Sequence, residues 1–314
     1  MQSRRDSIPG DTVLYHTVSA YRDRDVWLRA AAFLALPDFP EALLDYCRLM
    51  CAPPDLHWPA TKIFGQKIRY ITCYCLIGNY ARSLDDPAFV PSLSALQAVV
   101  PASPRQVADQ IRGLRAGGYV QTRRDGQDAR ALHLVPSPSL VREIARSPLS
   151  ALQVAEAITP GADRLHLRLL EDPDVLCRLL GLSTRQFHAQ DILFRPFPTI
   201  VSFSGRDAGY LILTAVVGAA LARGCGDERW DVSLSYHAMA RRFQVSRQHI
   251  GNLYAEGEAA GLFRVVNGRL EDMSPELLLE FRTFVAGQMA HYRAMAELLP
   301  VPVPGGAASS PSSP

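Results

Sequence analysis

The 314-residue sequence predicts a mainly helical protein built from two copies of one helix–turn–helix–hairpin unit, with additional flanking helices. Three observations predict it. A weak repeat returns at an offset of 143 residues. Each copy carries serine caps and apolar spacings of three and four that set two short helices in succession. Each copy then closes on a glycine followed by β-branched and aromatic residues around a turn. Apolar residues are 48% of the chain and charged residues 20%, so a core of this kind can be filled over most of its length.

The repeat is read from two blocks. Ser103-Pro104-Arg105-Gln106-Val107 aligns with Ser246-Arg247-Gln248-His249-Ile250, and Ala116-Gly117-Gly118-Tyr119-Val120 with Ala259-Ala260-Gly261-Leu262-Phe263. Upstream, residues 66–82 and 206–223 both read as long apolar helices. In the second copy Ser233 or Ser235 caps a helix with Tyr236, Met239, Ala240 and Phe243 on one face. Gln244-Val245 is a tight connection, and Ser246 caps a second helix whose inward side chains are Ile250, Leu253 or Tyr254, and Gly257. Gly261 ends that helix, and Asn267-Gly268 is a strong two-residue hairpin turn. The first copy follows the same order. Ser92 or Ser94 caps its first helix, and Ser103 with Pro104 at the first helical position starts its second. Val107, Ile111 and Leu114 form the inward stripe, and a longer hairpin turns at Asp125-Gly126. Helix, tight turn, helix, hairpin is the winged helix-turn-helix order.

Around these units the chain divides into an N-terminal helical cap (1–57), a first winged-helix domain (58–146) and a helical linker (147–205). A second winged-helix domain with a C-terminal helix (206–299) and a charge-free Pro/Gly/Ala/Ser tail (300–314), expected to be disordered, complete it. The C-terminal helix carries Leu278, Phe281, Phe284 or Val285, Met289 and Tyr292 along one side. Core packing and homodimerisation both account for that stripe. The aromatic stretch 187–203 is expected to pack between the units, with a small-molecule effector pocket at the domain interface as the second reading.

Charge is uneven. Residues 58–146 carry 12 basic and 6 acidic side chains, while the remainder is mildly acidic, an asymmetry that suits a nucleic-acid surface. Lys62 and Lys67 are the only lysines. No apolar run approaches the ~18–20 residues of a membrane helix, and no apolar segment follows Arg4 and Arg5 as in a secretory signal. The six cysteines contain no C-x-x-C spacing and read as buried small hydrophobes, with no metal or other cofactor. A cytoplasmic, nucleoid-associated protein without a membrane partner is expected.

The run Ala238-Met239-Ala240-Arg241-Arg242-Phe243-Gln244-Val245-Ser246-Arg247-Gln248-His249-Ile250, closing with Glu258-Ala259-Ala260-Gly261-Leu262-Phe263, resembles the signature of bacterial winged helix-turn-helix transcription regulators, the MarR-like and Crp/Fnr-like DNA-binding domains. The resemblance covers about 35 residues per copy. Gly257 stands where those families usually keep a leucine, and no cyclic-nucleotide β-roll precedes either unit. It implies a sequence-specific regulator bound to double-stranded DNA. Base contacts are expected from Arg105, Gln106, Asp109 and Gln110 in the first copy, and from Arg247, Gln248, His249 and Asn252 in the second. Asp109 repels phosphate, so it either accepts from a cytosine amine or orients Arg105 or Arg112. Phosphate contacts are expected from Ser103, Arg112, Arg123, Arg124 and Arg130, and from Ser246, Arg264 and Arg269. A plasmid-type replication initiator with tandem winged helices and a winged-helix protein-interaction scaffold are the alternatives.

No enzyme is expected. G-x-G-x-x-G, G-x-x-x-x-G-K-[ST] and G-x-S-x-G are all missing from the sequence, and His188 with Asp191 has no accompanying nucleophile or ligand.

Overall fold

The computed structural model describes residues 14–16, 18, 24–53, 63–124, 132–160, 164–189 and 194–299. Fourteen helices and two antiparallel two-stranded sheets occur among them, so the mainly helical character is observed. Arg130, the Asp125-Gly126 turn, Asp191 and the 300–314 tail lie outside the described residues, as does the side chain of His188.

The chain opens with α1 (Asp25–Leu34) and α2 (Phe39–Cys51). The first copy follows as α3 (Lys67–Asp85), α4 (Leu93–Val99), α5 (Pro104–Ala116), β1 (Val120–Arg124) and β2 (Leu132–Pro136). Four helices connect the copies: α6 (Pro138–Ile144), α7 (Arg146–Ala157), α8 (Leu165–Glu171) and α9 (Pro173–Ala189). Next come α10 (Pro198–Ser204), α11 (Gly209–Cys225), α12 (Tyr236–Phe243), α13 (Arg247–Ala259), β3 (Phe263–Val266), β4 (Arg269–Met273) and α14 (Pro275–Glu297). Helices α5 and α13 begin and end at the sequence offset of 143.

The boundaries have local causes. Ser92 and Ser235 accept the backbone N–H groups of Ala95 and Ala238 at 3.2 and 3.3 Å, so they, and not Ser94 or Ser233, cap α4 and α12. Gln244 turns the chain between α12 and α13 at φ 56°, a left-handed conformation unusual for a residue with a Cβ. Asn267 and Gly268 have φ values of 51° and 74°, the two positive angles a right-twisted hairpin needs.

Packing crosses the repeat reciprocally. The first copy's leading helix α2 lies on α11 of the second, while α9, which leads into the second copy, lies on α3 of the first. Tyr46 of α2 meets the Tyr210 hydroxyl at 2.6 Å, and Arg48 pairs with Asp227 at 2.5 Å just beyond α11. Arg178 of α9 pairs with Asp85 of α3 at 2.9 Å. Helix α1 in turn packs on α14, where Gly287 leaves room for the Trp27 ring. A Cβ there would lie 2.6 Å from the indole. The buried side chains form one continuous cluster through both copies.

Helix α14 runs through this core against α1 and α7. Phe281, Phe284, Met289 and Tyr292 are all buried within the chain, so intrachain packing accounts for the stripe that dimerisation also explained. The cysteines follow the expected pattern with one exception. Cys47, Cys51, Cys73, Cys75 and Cys177 are buried, and Cys225 is exposed at the end of α11. Burial pushes the Cys51, Cys75 and Cys177 thiols up to about 12, which keeps them protonated and inert. No helix among the described residues is long and apolar enough to cross a membrane.

Candidate nucleic-acid interface

Helix α5 owes its start to a capping box. The Ser103 hydroxyl accepts the Gln106 N–H at 3.3 Å, and the Gln106 side-chain oxygen accepts the Ser103 N–H at 3.1 Å. Val107, Ile111 and Leu114 hold one face of α5 to the core. The opposite face carries Arg105, with 93% of its side chain exposed, together with Asp109 and Arg112. Asp109 accepts from Arg112 Nη1 at 2.8 Å and lies 3.9 Å from Arg105 Nε. One carboxylate thus accepts a hydrogen bond from Arg112 and lies at the edge of ion-pair range of the exposed Arg105, leaving net positive charge on the face.

Next to this face, Arg115 lies one turn beyond Ile111, and Arg123 and Arg124 are exposed on β1. Arg112 and Arg115 share a shallow depression with Gln121 and Thr122 of β1. Arg115 carries no motif signal of its own, although it sits in the same basic block.

The second copy repeats the scaffold with less charge. Ser246 accepts the His249 N–H at 3.1 Å, and Ile250, Leu253, Tyr254 and Gly257 face inward. Arg247, Gln248 and Asn252 are exposed and make no hydrogen bond or ion pair among the described residues. On the hairpin, Arg264 is neutralised by Glu271 at 2.6 Å, and Arg269 is exposed near Glu271 and Asp272.

Three polar side chains assigned to base contact have structural partners. Gln106 has its oxygen in the cap. Gln110 points inward and donates to the Arg69 carbonyl at 2.7 Å. His249 is half-buried, with Nε2 2.8 Å from the Asp207 carbonyl, which makes Nε2 the protonated nitrogen. These last two contacts meet. Arg69 Nη1 lies 3.4 Å from the Asp207 carboxylate, and the Ala208 N–H donates to the Gly65 carbonyl at 2.9 Å. Arg206 adds an ion pair to Glu256 of α13 at 2.6 Å. The starts of α3 and α11 therefore form a strut on which α5 leans from one side and α13 from the other. Arg69 and Asp207 carry no sequence signal, because they are 138 residues apart.

No group of three His, Cys, Asp or Glu side chains is gathered as a metal site among the described residues. Chemically, the surface offers exposed arginine forks, amides and a restrained carboxylate on two short helices beside two hairpins. The chain matches no protein-family model, no curated protein and no solved structure.

Proposed function

We propose that the chain is a sequence-specific double-stranded DNA-binding regulator of transcription, associated with the nucleoid. In this reading the two units are winged helix-turn-helix domains. Helices α5 and α13 enter the major groove and the β1–β2 and β3–β4 hairpins serve as wings. The observation that carries the reading is the exposed Arg105–Asp109–Arg112 face of α5, followed in the chain by Arg123 and Arg124 exposed on β1. Guanidinium forks held this way suit guanine O6 and N7, and the hairpin arginines suit phosphate. Arg247, Gln248 and Asn252 would do the same work on α13. Gln106 keeps its amide NH2 for a base or phosphate, whereas Gln110 and His249 would act by fixing the angle of their helices.

A second reading, a plasmid-type replication initiator with tandem winged helices, is favoured by the strut. Two reading helices tied within one chain suit an asymmetric site more than a palindrome read by two protomers. Selection from a random duplex pool followed by footprinting tests both. The expected result is a short preferred site whose affinity falls steeply with salt. Arg123→Ala with Arg124→Ala should lower the log–log salt slope by roughly 0.9 for each phosphate no longer neutralised. Arg105→Ala or Arg247→Ala should relax preference at particular base pairs by ~1–3 kcal/mol. Promoter-proximal sites in the genome support the regulator, and iterated sites at a replication origin support the initiator. No duplex binding at low salt overturns both and leaves the protein-interaction scaffold.

A further inference from the structure

Helices α3 and α9 cross closely because glycines meet at their interface. A Cβ on Gly181 would lie 2.8 Å from the Ala81 Cβ, and one on Gly78 would lie 3.0 Å from Thr184. The approach brings Tyr74 of α3 beside Ser183 of α9, and α14, packed on α9, adds His291 and Tyr292. The Ser183 hydroxyl lies 2.5 Å from His291 Nε2, and the Tyr74 and Tyr292 hydroxyls are 3.3 Å apart. All four side chains are buried. Neither Ser183 nor His291 stands in a sequence motif, since 108 residues separate them.

Ser183, Tyr74 and Tyr292 also line a cavity of about 150 Å³, and His291 stands outside that lining. The cavity reaches the surface, because exposed Ala52 and Gln244 are among its wall residues. Room of this size holds about six non-hydrogen atoms, as in benzene. Burial holds the His291 pKa down at about 4, so at neutral pH the imidazole is uncharged and has a nitrogen open to a proton. Burial pushes both tyrosine hydroxyls up, so each keeps its proton. One of those protons joins the two hydroxyls, which leaves the other O–H as a donor. A nucleophile bonded to a base, a neighbouring donor and an adjoining space for a reacting atom are the parts that acyl transfer needs.

We infer that Ser183 and His291 form a nucleophile–base pair that hydrolyses a short-chain carboxylic ester held in the cavity. Ser183 Oγ attacks the ester carbonyl carbon as its proton passes to His291 Nε2, and the carbonyl electron pair moves onto oxygen, toward the tyrosine O–H. Collapse of the tetrahedral adduct breaks the bond to the alkoxy oxygen, which takes the proton from Nε2 and leaves as an alcohol. Water then attacks the acyl carbon and gives a proton to Nε2. The acyl–Oγ bond breaks, Ser183 recovers the proton, and the carboxylic acid departs. No carboxylate hydrogen-bonds to His291 among the described residues, so the pair lacks a third, orienting member. Slow turnover is the consequence, and covalent capture is the more sensitive readout. The activity does not depend on the DNA-binding reading.

Methanesulfonyl fluoride and vinyl acetate are probes small enough for the cavity. The first should sulfonylate the full chain once, and peptide mapping by mass spectrometry should place the adduct on Ser183. His291→Gln should slow that capture by at least about a hundredfold, the usual contribution of a general base. Vinyl acetate hydrolysis, followed by the acetaldehyde released, should exceed the buffer rate and fall to it in Ser183→Ala. Tyr292→Phe keeps the ring and removes one hydroxyl, and should lower turnover by about tenfold or more while capture at Ser183 persists. Thermal unfolding of each variant shows that it is folded, and capture by the parent chain needs no variant at all. No adduct on Ser183 of the parent overturns the proposal. So does capture that is equally fast in His291→Gln, or vinyl acetate turnover that Ser183→Ala retains. Capture at Ser183 without turnover above Ser183→Ala overturns the hydrolysis.

Discussion

His291 is buried on α14, its Nε2 2.5 Å from the Ser183 hydroxyl of α9. Burial holds its pKa down at about 4, against 6.5 for a free imidazole. The sign follows from proton binding. Below pH 6.5 the unfolded chain takes up a proton that the folded chain refuses, so stability falls as pH drops from about 6.5 to about 4, then levels off. Buried Glu143 and Glu280 have raised pKa values and act in the opposite sense, so the test is a difference. His291→Gln should lose up to ~3 kcal/mol less stability than the parent between pH 7 and pH 4, measured by denaturant unfolding at each pH. Equal losses would mean that His291 is protonated in the folded chain. At this scale legibility depends on sequence distance. Ser103, Ser246 and Asn267-Gly268 are readable because cap and turn are made with neighbours. Gln110 and His249 read as outward base readers, because their partners lie 41 and 42 residues away.

Between elements, Gly257 explains how the second hairpin meets its helix. A Cβ at this position would lie 2.4 Å from Phe263 Cζ, and the Phe263 ring is itself wedged against Tyr254 and Phe203. The leucine usual in the resembled families has no space here, since the aromatic ring of β3 occupies it. Gly257→Ala should therefore destabilise the chain by ~1–3 kcal/mol, the usual range for overpacking a filled core. Thermal unfolding measures the loss, and Gly257→Ala with Phe263→Leu should recover much of it. A neutral Gly257→Ala would show that the ring moves freely. The order of elements within each copy is visible from caps and spacing. The supporting helices are less so. Residues 147–205 read as a linker, yet α7 packs on α14 and α2, and α9 packs on α3. Their apolar faces are plain in the sequence, but the choice of partner depends on tertiary approach.

The whole molecule is set by the exchange of leading helices. Because α1 and α2 complete the second copy while α9 completes the first, neither half encloses its own core. Cutting the chain between α7 and α8 should give pieces that lack cooperative unfolding when prepared alone. Prepared together, they should copurify and regain the helical circular dichroism of the intact chain. A half that folds by itself as a monomer would show the exchange to be dispensable. The offset repeat is legible, but not the reciprocal crossing, since a repeat states that two segments are alike and not which segment each one touches.

The crossing also governs how the molecule answers to dilution. Two separate chains that traded helices would come apart as their concentration fell, and their melting point would drift downward with it. Here the trading partners share one backbone, so each helix meets its counterpart at a fixed local concentration however scarce the protein is. The two arginine-bearing faces consequently stay in one-to-one proportion at every expression level.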